Sequence, residues 1–263
     1  MLNHVFGLVI ISFLATNLEI MHREIRSWYS PTLNRNMEIV EYGHFGPVIL
    51  LLPTAAADYL EYERFLMIDA IAKYIDSGKV KVYSINSINS ESWLNSKIDG
   101  RTKVLRHDQF NQYVYSEVVP FIKERTSFDT PIYTCGSSFG ALHAANLFFK
   151  NPWAIRGCIS MSGLYDLGYY TKNYWDDACY WNSPMHYLKD LQDENHLNTI
   201  RSSQHIHIMT GSGDYEDPNG SRFFSGLLHH RKIQHNLDVW GHDIKHDWPT
   251  WRAMLPFILE SKF

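Results

Sequence analysis

Residues 132–150 read IYTCGSSFGALHAANLFFK, and this stretch decides the fold. Its first four residues form an apolar run that predicts a buried strand, and its last twelve have the length and apolar spacing of a helix. The turn between them, Gly136-Ser137-Ser138-Phe139-Gly140, is the only G-x-S-x-G in the chain. A serine in this setting lies on a strained strand-to-helix turn that lifts its hydroxyl above the sheet. We therefore expect Ser138 to be a nucleophile and Ser137 to be its packed neighbour.

The rest of the chain, from Ile25 onward, alternates short apolar runs with longer helical segments. This alternation predicts an α/β protein with a mostly parallel sheet and helices on both faces. In such sheets the ligand binds at the carboxyl ends of the strands. The predicted strands are Ile25–Ser30, Met37–Tyr42, Val48–Leu52, Val80–Ile85, Ile132–Cys135, Gly157–Met161, His205–Met209 and Asn236–Trp240, and the predicted helices are Tyr59–Ile75, Gln109–Arg125, Phe139–Lys150, Ser221–Lys232 and Trp248–Glu260.

Composition narrows the class of protein. The 263 residues are 45% hydrophobic and 20% charged, which excludes a disordered or fibrous chain. The formal net charge is −4 and no basic stripe is present, so we expect no nucleic acid partner. Cys135, Cys158 and Cys179 match neither a disulfide framework nor a zinc motif and favour a reducing compartment. The paired histidines His205/His207 and His229/His230 complete no ligand set, so we expect no metal and no cofactor.

The first residues form a separate segment. Val5–Ala15 is an apolar run of signal-peptide length, but no Lys or Arg precedes it, and Met21 offers an alternative start. We expect residues 1–24 to be an extension, either a mis-assigned start or a signal-like segment, and residues 25–263 to form one domain. The run is too short for stable membrane insertion. A cytoplasmic location is expected, with export as the alternative.

A serine hydroxyl needs a base, and the base needs an orienting carboxylate. In this arrangement the acid precedes the histidine along the chain, each on a loop after a late strand. Asp214 follows a Gly-Ser-Gly turn at a strand end and is the predicted acid, with Glu216 and Asp217 as rivals.

The predicted base is His246, which lies in the loop after the last strand. Asp247 follows it as the predicted N-cap of the final helix, with Pro249 in the first turn. This anchors His246 where a loop histidine can reach the serine. His242, in the same loop, is the alternate base.

Taken together, these residues resemble a known family. The segment Tyr29–Met37, the turn Gly136–Gly140, Asp214, and His246-Asp247-Trp248 with Trp251 after it are similar to the Putative esterase family of α/β-hydrolases, which contains esterase D-like enzymes and mycolyltransferases. The resemblance runs from Ile25 to the end of the chain. It implies an α/β-hydrolase fold with about eight strands and a Ser-Asp-His triad. The implied activity is hydrolysis or transfer of acyl esters.

One loop departs from the family pattern. After strand Val48–Leu52 the family usually has His-Gly-Gly, whereas this chain has Pro53-Thr54-Ala55-Ala56-Ala57-Asp58. This loop supplies one of the two backbone N–H groups that bind an oxyanion. We expect Phe139 N–H to be one donor and Thr54 or Ala55 N–H to be the other.

An aromatic-rich insertion, residues 163–198, is the predicted cap. Eight of its residues between Gly163 and Tyr187 are Tyr or Trp. They either line an acyl or aryl pocket or pack a loop-rich segment onto the sheet. Tyr165 and Trp175, with Trp93 from an earlier loop, are the predicted substrate-binding residues.

The sequence therefore predicts a serine ester hydrolase of the carboxylesterase type that works through an acyl-enzyme on a small acyl ester. One alternative is an acyltransferase that uses the same acyl-enzyme. The other is a non-catalytic relative that binds an acyl or aromatic ligand. The pattern makes no prediction of oligomeric state.

Overall fold

The computed structural model of the protein describes residues 21–168, 170–171 and 173–263. The predicted extension falls, as far as residue 20, outside the described residues. The strands are β1 (Arg23–Ser30), β2 (Arg35–Tyr42), β3 (Val48–Leu52), β4 (Lys81–Ile85), β5 (Ile132–Ser137), β6 (Gly157–Met161), β7 (Ile206–Thr210) and β8 (Asn236–Val239).

Within the described residues these strands form one eight-stranded sheet in the order β1-β2-β4-β3-β5-β6-β7-β8. β1 pairs antiparallel with β2, and β2 with β4. From β4 to β8 in that order, each strand is parallel to the next. The predicted α/β-hydrolase fold with a mostly parallel sheet of about eight strands is confirmed.

The helices cover both faces of the sheet. They are α1 (Glu61–Arg64), α2 (Met67–Asp76), α3 (Gly100–Tyr113), α4 (Val119–Arg125), α5 (Phe139–Lys150), α6 (Asp177–Tyr180), α7 (Pro184–Asp190), α8 (Glu194–Arg201), α9 (Pro218–His230) and α10 (Trp248–Ser261). Because side chains of a strand alternate between faces, Leu50 packs in the core under α5 while Ile49 packs in the core under α2 and α10. A π-helical turn, residues 114–118, joins α3 to α4.

Two predicted helices differ most from the structure. The segment predicted as one helix, Tyr59–Ile75, is two, because Leu66 takes a left-handed φ of +60° between α1 and α2. At this break Phe65 stacks on Trp248 with ring centroids 4.5 Å apart. Helix α3 begins nine residues before the predicted start at Gln109. Its buried face carries Lys103, whose Nζ donates to the Trp93 carbonyl at 2.8 Å, so the apolar spacing of a helix is interrupted.

The cap region is more regular than predicted. The predicted cap, residues 163–198, contains α6, α7 and the first turn of α8. The buried Asn182 ties them to the core, since its Oδ1 accepts from Asn111 Nδ2 at 2.8 Å and Lys150 Nζ at 3.0 Å. Its Nδ2 donates to Asp108 Oδ1 at 2.8 Å. In the part of the chain that the structure describes, no helix is long and apolar enough to cross a membrane.

Candidate active site

Ser138 lies between β5 and α5 in a strained backbone conformation. Its φ of +55° and ψ of −119° fall in a region that side-chain-bearing residues rarely adopt. The flanking glycines are required, because a Cβ on Gly136 would lie 2.2 Å from the Gly140 carbonyl and one on Gly140 would lie 2.3 Å from the Leu52 carbonyl oxygen. Ser137 is fully buried, as predicted, whereas Ser138 is partly exposed.

His246 is brought to this serine from the loop before α10. Its Nε2 lies 2.8 Å from Ser138 Oγ, a hydrogen-bond distance. Asp247 caps α10 as predicted, its side chain accepting from Trp248 N at 2.7 Å. Trp251, one turn into α10, meets the imidazole edge-on with ring centroids 5.2 Å apart. The alternate, His242, is exposed, and its Nδ1 lies 3.3 Å from the Ser212 carbonyl oxygen.

The acid predicted for His246 is not the one that the fold brings there. Asp214 points into solvent with 66% of its side chain exposed and pairs with Lys245 Nζ at 2.9 Å. Its contact with His246 is through the backbone, since its carbonyl accepts from His246 N at 3.0 Å. The cause is Tyr215, whose left-handed φ of +63° turns the chain between Asp214 and Glu216.

Glu216 occupies the inner position instead. Its side chain is fully buried, and its Oε2 lies 3.8 Å from His246 Nδ1, an atom that has no hydrogen-bond partner among the described residues. Ser162 Oγ donates to Glu216 Oε1 at 2.6 Å and Thr210 Oγ1 donates to Oε2 at 3.0 Å. Trp251 Nε1 donates in turn to Ser162 Oγ at 3.0 Å.

This surrounding sets the ionisation of Glu216. Burial by itself raises the pKa of a carboxyl, but the facing His246 and the hydroxyls of Ser162 and Thr210 outweigh it and lower the pKa of Glu216 below its ordinary value. Glu216 is therefore a carboxylate at neutral pH. Glu216 was predicted only as a rival acid, and Ser162, which directly follows the carboxyl end of β6, was not predicted.

The loop Pro53–Asp58, called the β3 loop below, begins next to the serine turn, since a Cβ on Gly140 would lie 2.7 Å from the Pro53 carbonyl oxygen. Thr54 N–H is not free, because it donates to the buried Glu61 Oε2 at 2.8 Å, and Thr54 Oγ1 donates to Glu61 Oε1 at 2.6 Å. This removes Thr54 as the predicted donor. Neither Ala55 N–H nor Phe139 N–H donates a hydrogen bond to another described residue.

The predicted substrate-binding residues fall in three different surroundings. Tyr165 is 2% exposed and stacks on Phe224 at 4.2 Å, so it is a core residue and the pocket assignment is wrong. Trp175 is 42% exposed and contacts His186, with ring centroids 4.4 Å apart. Trp93 is buried, in the same apolar cluster as Phe139.

Tyr170 is a further aromatic residue beside the serine. Its ring meets Phe139 edge-on at 4.6 Å, and Phe139 directly follows Ser138. It is one of the eight Tyr and Trp residues of the predicted cap but was not a predicted substrate-binding residue. Tyr169, another of that group, lies outside the described residues.

Elsewhere, the three cysteines are buried free thiols. Among the described residues one group has metal-ligand spacing, His22, Glu24 and Glu41. Glu24 lies on β1, Glu41 lies on β2 and His22 directly precedes β1, and Arg125 already pairs with both carboxylates. A cavity of about 930 Å³, lined by Tyr133, Trp153 and His205 among others, lies at the amino ends of the strands, at the opposite edge of the sheet from Ser138.

Comparisons with known proteins identify the family and the fold. The model of the family described as Putative esterase matches residues 74–261, more than half of the chain. No curated protein matches by sequence.

Several solved structures share the fold. A ferulic acid esterase is 17% identical, with a TM-score of 0.71 over 91% of this chain and 98% of its own. The S-formylglutathione hydrolase of Staphylococcus aureus is 15% identical, with a TM-score of 0.65 over 92% and 96%. A fluorophosphonate-binding serine hydrolase of the same organism is 15% identical, with a TM-score of 0.60 over 91% and 97%.

Proposed function

This chain belongs to the Putative esterase family and is a carboxylic ester hydrolase, and from this premise we propose that it acts on small acyl esters through an acyl-enzyme formed on Ser138. His246 is the general base and Glu216, rather than Asp214, orients it. The proposed triad is thus Ser138, His246 and Glu216. The observation that carries the proposal is the 2.8 Å contact between His246 Nε2 and Ser138 Oγ.

In the first half of the reaction, Ser138 Oγ attacks the carbonyl carbon of the ester while its proton passes to His246 Nε2. The imidazolium that forms has Glu216 on its Nδ1 side, where a buried carboxylate stabilises the new positive charge. The present separation of 3.8 Å between Nδ1 and Oε2 must shorten to make that hydrogen bond.

The carbonyl oxygen becomes an oxyanion at the same moment. Phe139 N–H, at the amino end of α5, and Ala55 N–H, on the β3 loop, are the proposed donors. As the tetrahedral intermediate collapses, the bond to the leaving alcohol breaks and His246 returns its proton to that alcohol. Water then adds to the acyl-enzyme by the same route, which releases the carboxylic acid and regenerates Ser138.

The test is covalent labelling with a fluorophosphonate probe, together with hydrolysis of p-nitrophenyl esters. We expect the wild type to be labelled at Ser138 and to release p-nitrophenol. Ser138→Ala should lose labelling and at least about 10³-fold in kcat/KM. Absence of labelling at Ser138 would refute the acyl-enzyme. Labelling with turnover only when an alcohol or sugar acceptor is added would identify an acyltransferase instead.

A further inference from the structure

The carbonyl group of Ala55 is held by side chains from the loop after β4. Asn89 Nδ2 donates to Ala55 O at 2.8 Å and Ser87 Oγ donates to it at 3.0 Å. Ser87 N also donates to the Ala57 carbonyl at 3.1 Å. Asn89 is 1% exposed, in a single 3₁₀ turn, so its side chain is not a surface group that happens to reach the loop.

These contacts constrain the N–H of Ala55. That N–H belongs to the peptide plane between Thr54 and Ala55. The plane before it is fixed by Thr54 N–H donating to Glu61, and the plane after it is fixed by the two donors on Ala55 O. Because each peptide unit is planar, fixing both neighbours leaves the plane between them little freedom. Glycine, which the family usually has here, would leave the loop freer.

Asn89 is in turn held by the nucleophile helix. Its Oδ1 lies 2.9 Å from Nε2 of His143, a buried residue on α5. Ala55 O can only accept, so the amide nitrogen of Asn89 must face it and the amide oxygen must face His143. His143 therefore carries its proton on Nε2. Burial lowers the pKa of His143 to about 3, so the imidazole stays neutral and the tautomer is fixed.

We propose that Asn89 and His143 are positioning residues that set the separation of the two proposed oxyanion donors. Phe139 N–H begins α5, and His143 lies one turn later on that helix, with the two rings 5.0 Å apart. The chain of contacts from His143 through Asn89 to Ala55 O links the helix that carries one donor to the loop that carries the other. The role rests on the proposed acyl-enzyme mechanism, and neither residue touches the reacting atoms.

The test compares kcat, KM and inhibition by a trifluoromethyl ketone, whose adduct with a serine carries the oxyanion. Asn89→Ala should lower kcat about 10–100-fold, because donors displaced by a fraction of an ångström stabilise the transition state less. KM should change less than about threefold, and affinity for the ketone should fall in parallel with kcat. Asn89→Asp should lose as much, since a carboxylate keeps the shape but cannot donate to Ala55 O.

His107 provides a matched control for His143. It is equally buried and its ring lies 5.0 Å from that of His143, but it makes no hydrogen bond to Asn89. His143→Phe should lower kcat, His143→Gln should restore part of it through its amide N–H, and His107→Phe should leave kcat near the wild-type value. Melting temperatures of all variants separate misfolding from mispositioning.

Two outcomes would overturn the positioning role. One is a wild type that turns over esters while Asn89→Ala and Asn89→Asp keep kcat within about threefold. The other is an equal loss of kcat in His143→Phe and His107→Phe, which would mean that only ring packing matters. A wild type that shows neither turnover nor labelling at Ser138 would instead refute the proposed function, and the positioning role would fall with it.

Discussion

Two buried glutamates, one facing His246 and one bonded to the β3 loop, have pKa values shifted in opposite directions. Glu216, in the loop after β7, has a lowered pKa, whereas Glu61, at the start of α1, has a raised one. Burial raises both, and each carboxylate accepts two protein hydrogen bonds, Glu216 from Ser162 and Thr210 and Glu61 from Thr54 N–H and Oγ1. Burial and the number of bonds therefore do not explain the difference.

What differs is the partner that each carboxylate faces. Glu216 faces the imidazole of His246. Glu61 has Arg64 and Asp58 as its nearest charges, and these two pair with each other at 2.7 Å, so their effects on Glu61 oppose. Glu216 is thus suited to stabilise a cation, and Glu61 to hold a backbone N–H. A buried carboxylate is therefore a candidate acid only when it faces the base.

The most direct test is to neutralise Asp214 and Glu216, in the loop after β7, separately. Glu216→Gln should lower kcat about 10²–10⁴-fold, because the imidazolium loses its buried counter-charge. Asp214→Asn should change kcat less than about threefold, since its carboxylate is in solvent against Lys245. Steady-state hydrolysis of a p-nitrophenyl ester measures both. The reverse ranking would return the acid role to Asp214.

A smaller effect is expected from the hydroxyl that holds Glu216. Ser162→Ala removes the donor to Glu216 Oε1 and leaves Trp251 Nε1 without its acceptor. We expect kcat to fall about 10-fold and the free energy of unfolding to fall about 1–3 kcal/mol. Chemical denaturation and ester kinetics on the same sample give the two quantities.

Ser160 is the matched control. It lies on β6, which Ser162 directly follows, is also buried, and donates its hydroxyl to the Ala141 carbonyl at 3.1 Å. Ser160→Ala should lose similar stability while keeping kcat. If both variants lose activity in proportion to stability, Ser162 is a packing residue and does not hold the acid.

The smallest expected effect is in the pH dependence of stability. The lowered pKa of Glu216 means that its contribution is complete above the ordinary value of 4.5 and is lost as the pH falls through the folded-state value. The raised pKa of Glu61 gives the opposite sign, with its contribution complete below 4.5 and lost as the pH rises through the folded-state value.

The unfolding free energies of the Glu216→Gln and Glu61→Gln variants, each relative to wild type, should therefore change in opposite directions across the acid range. Relative to wild type, Glu216→Gln should be destabilised at neutral pH, and the difference should shrink below pH 4.5. Glu61→Gln should gain on wild type as the pH rises above 4.5, since the amide carries no buried charge. Parallel curves for the two variants would show that the glutamates do not differ in the way described.

Much of the fold follows from local patterns along the chain. The bounds of β3, α5 and β6 match the predicted ones. Each is an apolar run or a helical pattern bounded by turn residues, so local sequence is enough to predict where it begins and ends. The start of α3 was missed for the opposite reason. Its buried face carries Lys103, His107 and Asn111, and burial of such polar residues depends on partners distant in sequence.

The candidate nucleophile and base follow from local sequence, because the turn around Ser138 and the capped helix after His246 are set by neighbouring residues. The proposed acid and the unpaired N–H groups depend on tertiary contacts instead. The left-handed φ of Tyr215 leaves Asp214 in solvent and places Glu216 opposite His246. Thr54 N–H donates to Glu61. Both outcomes depend on contacts between distant segments and on a backbone angle that no short pattern specifies.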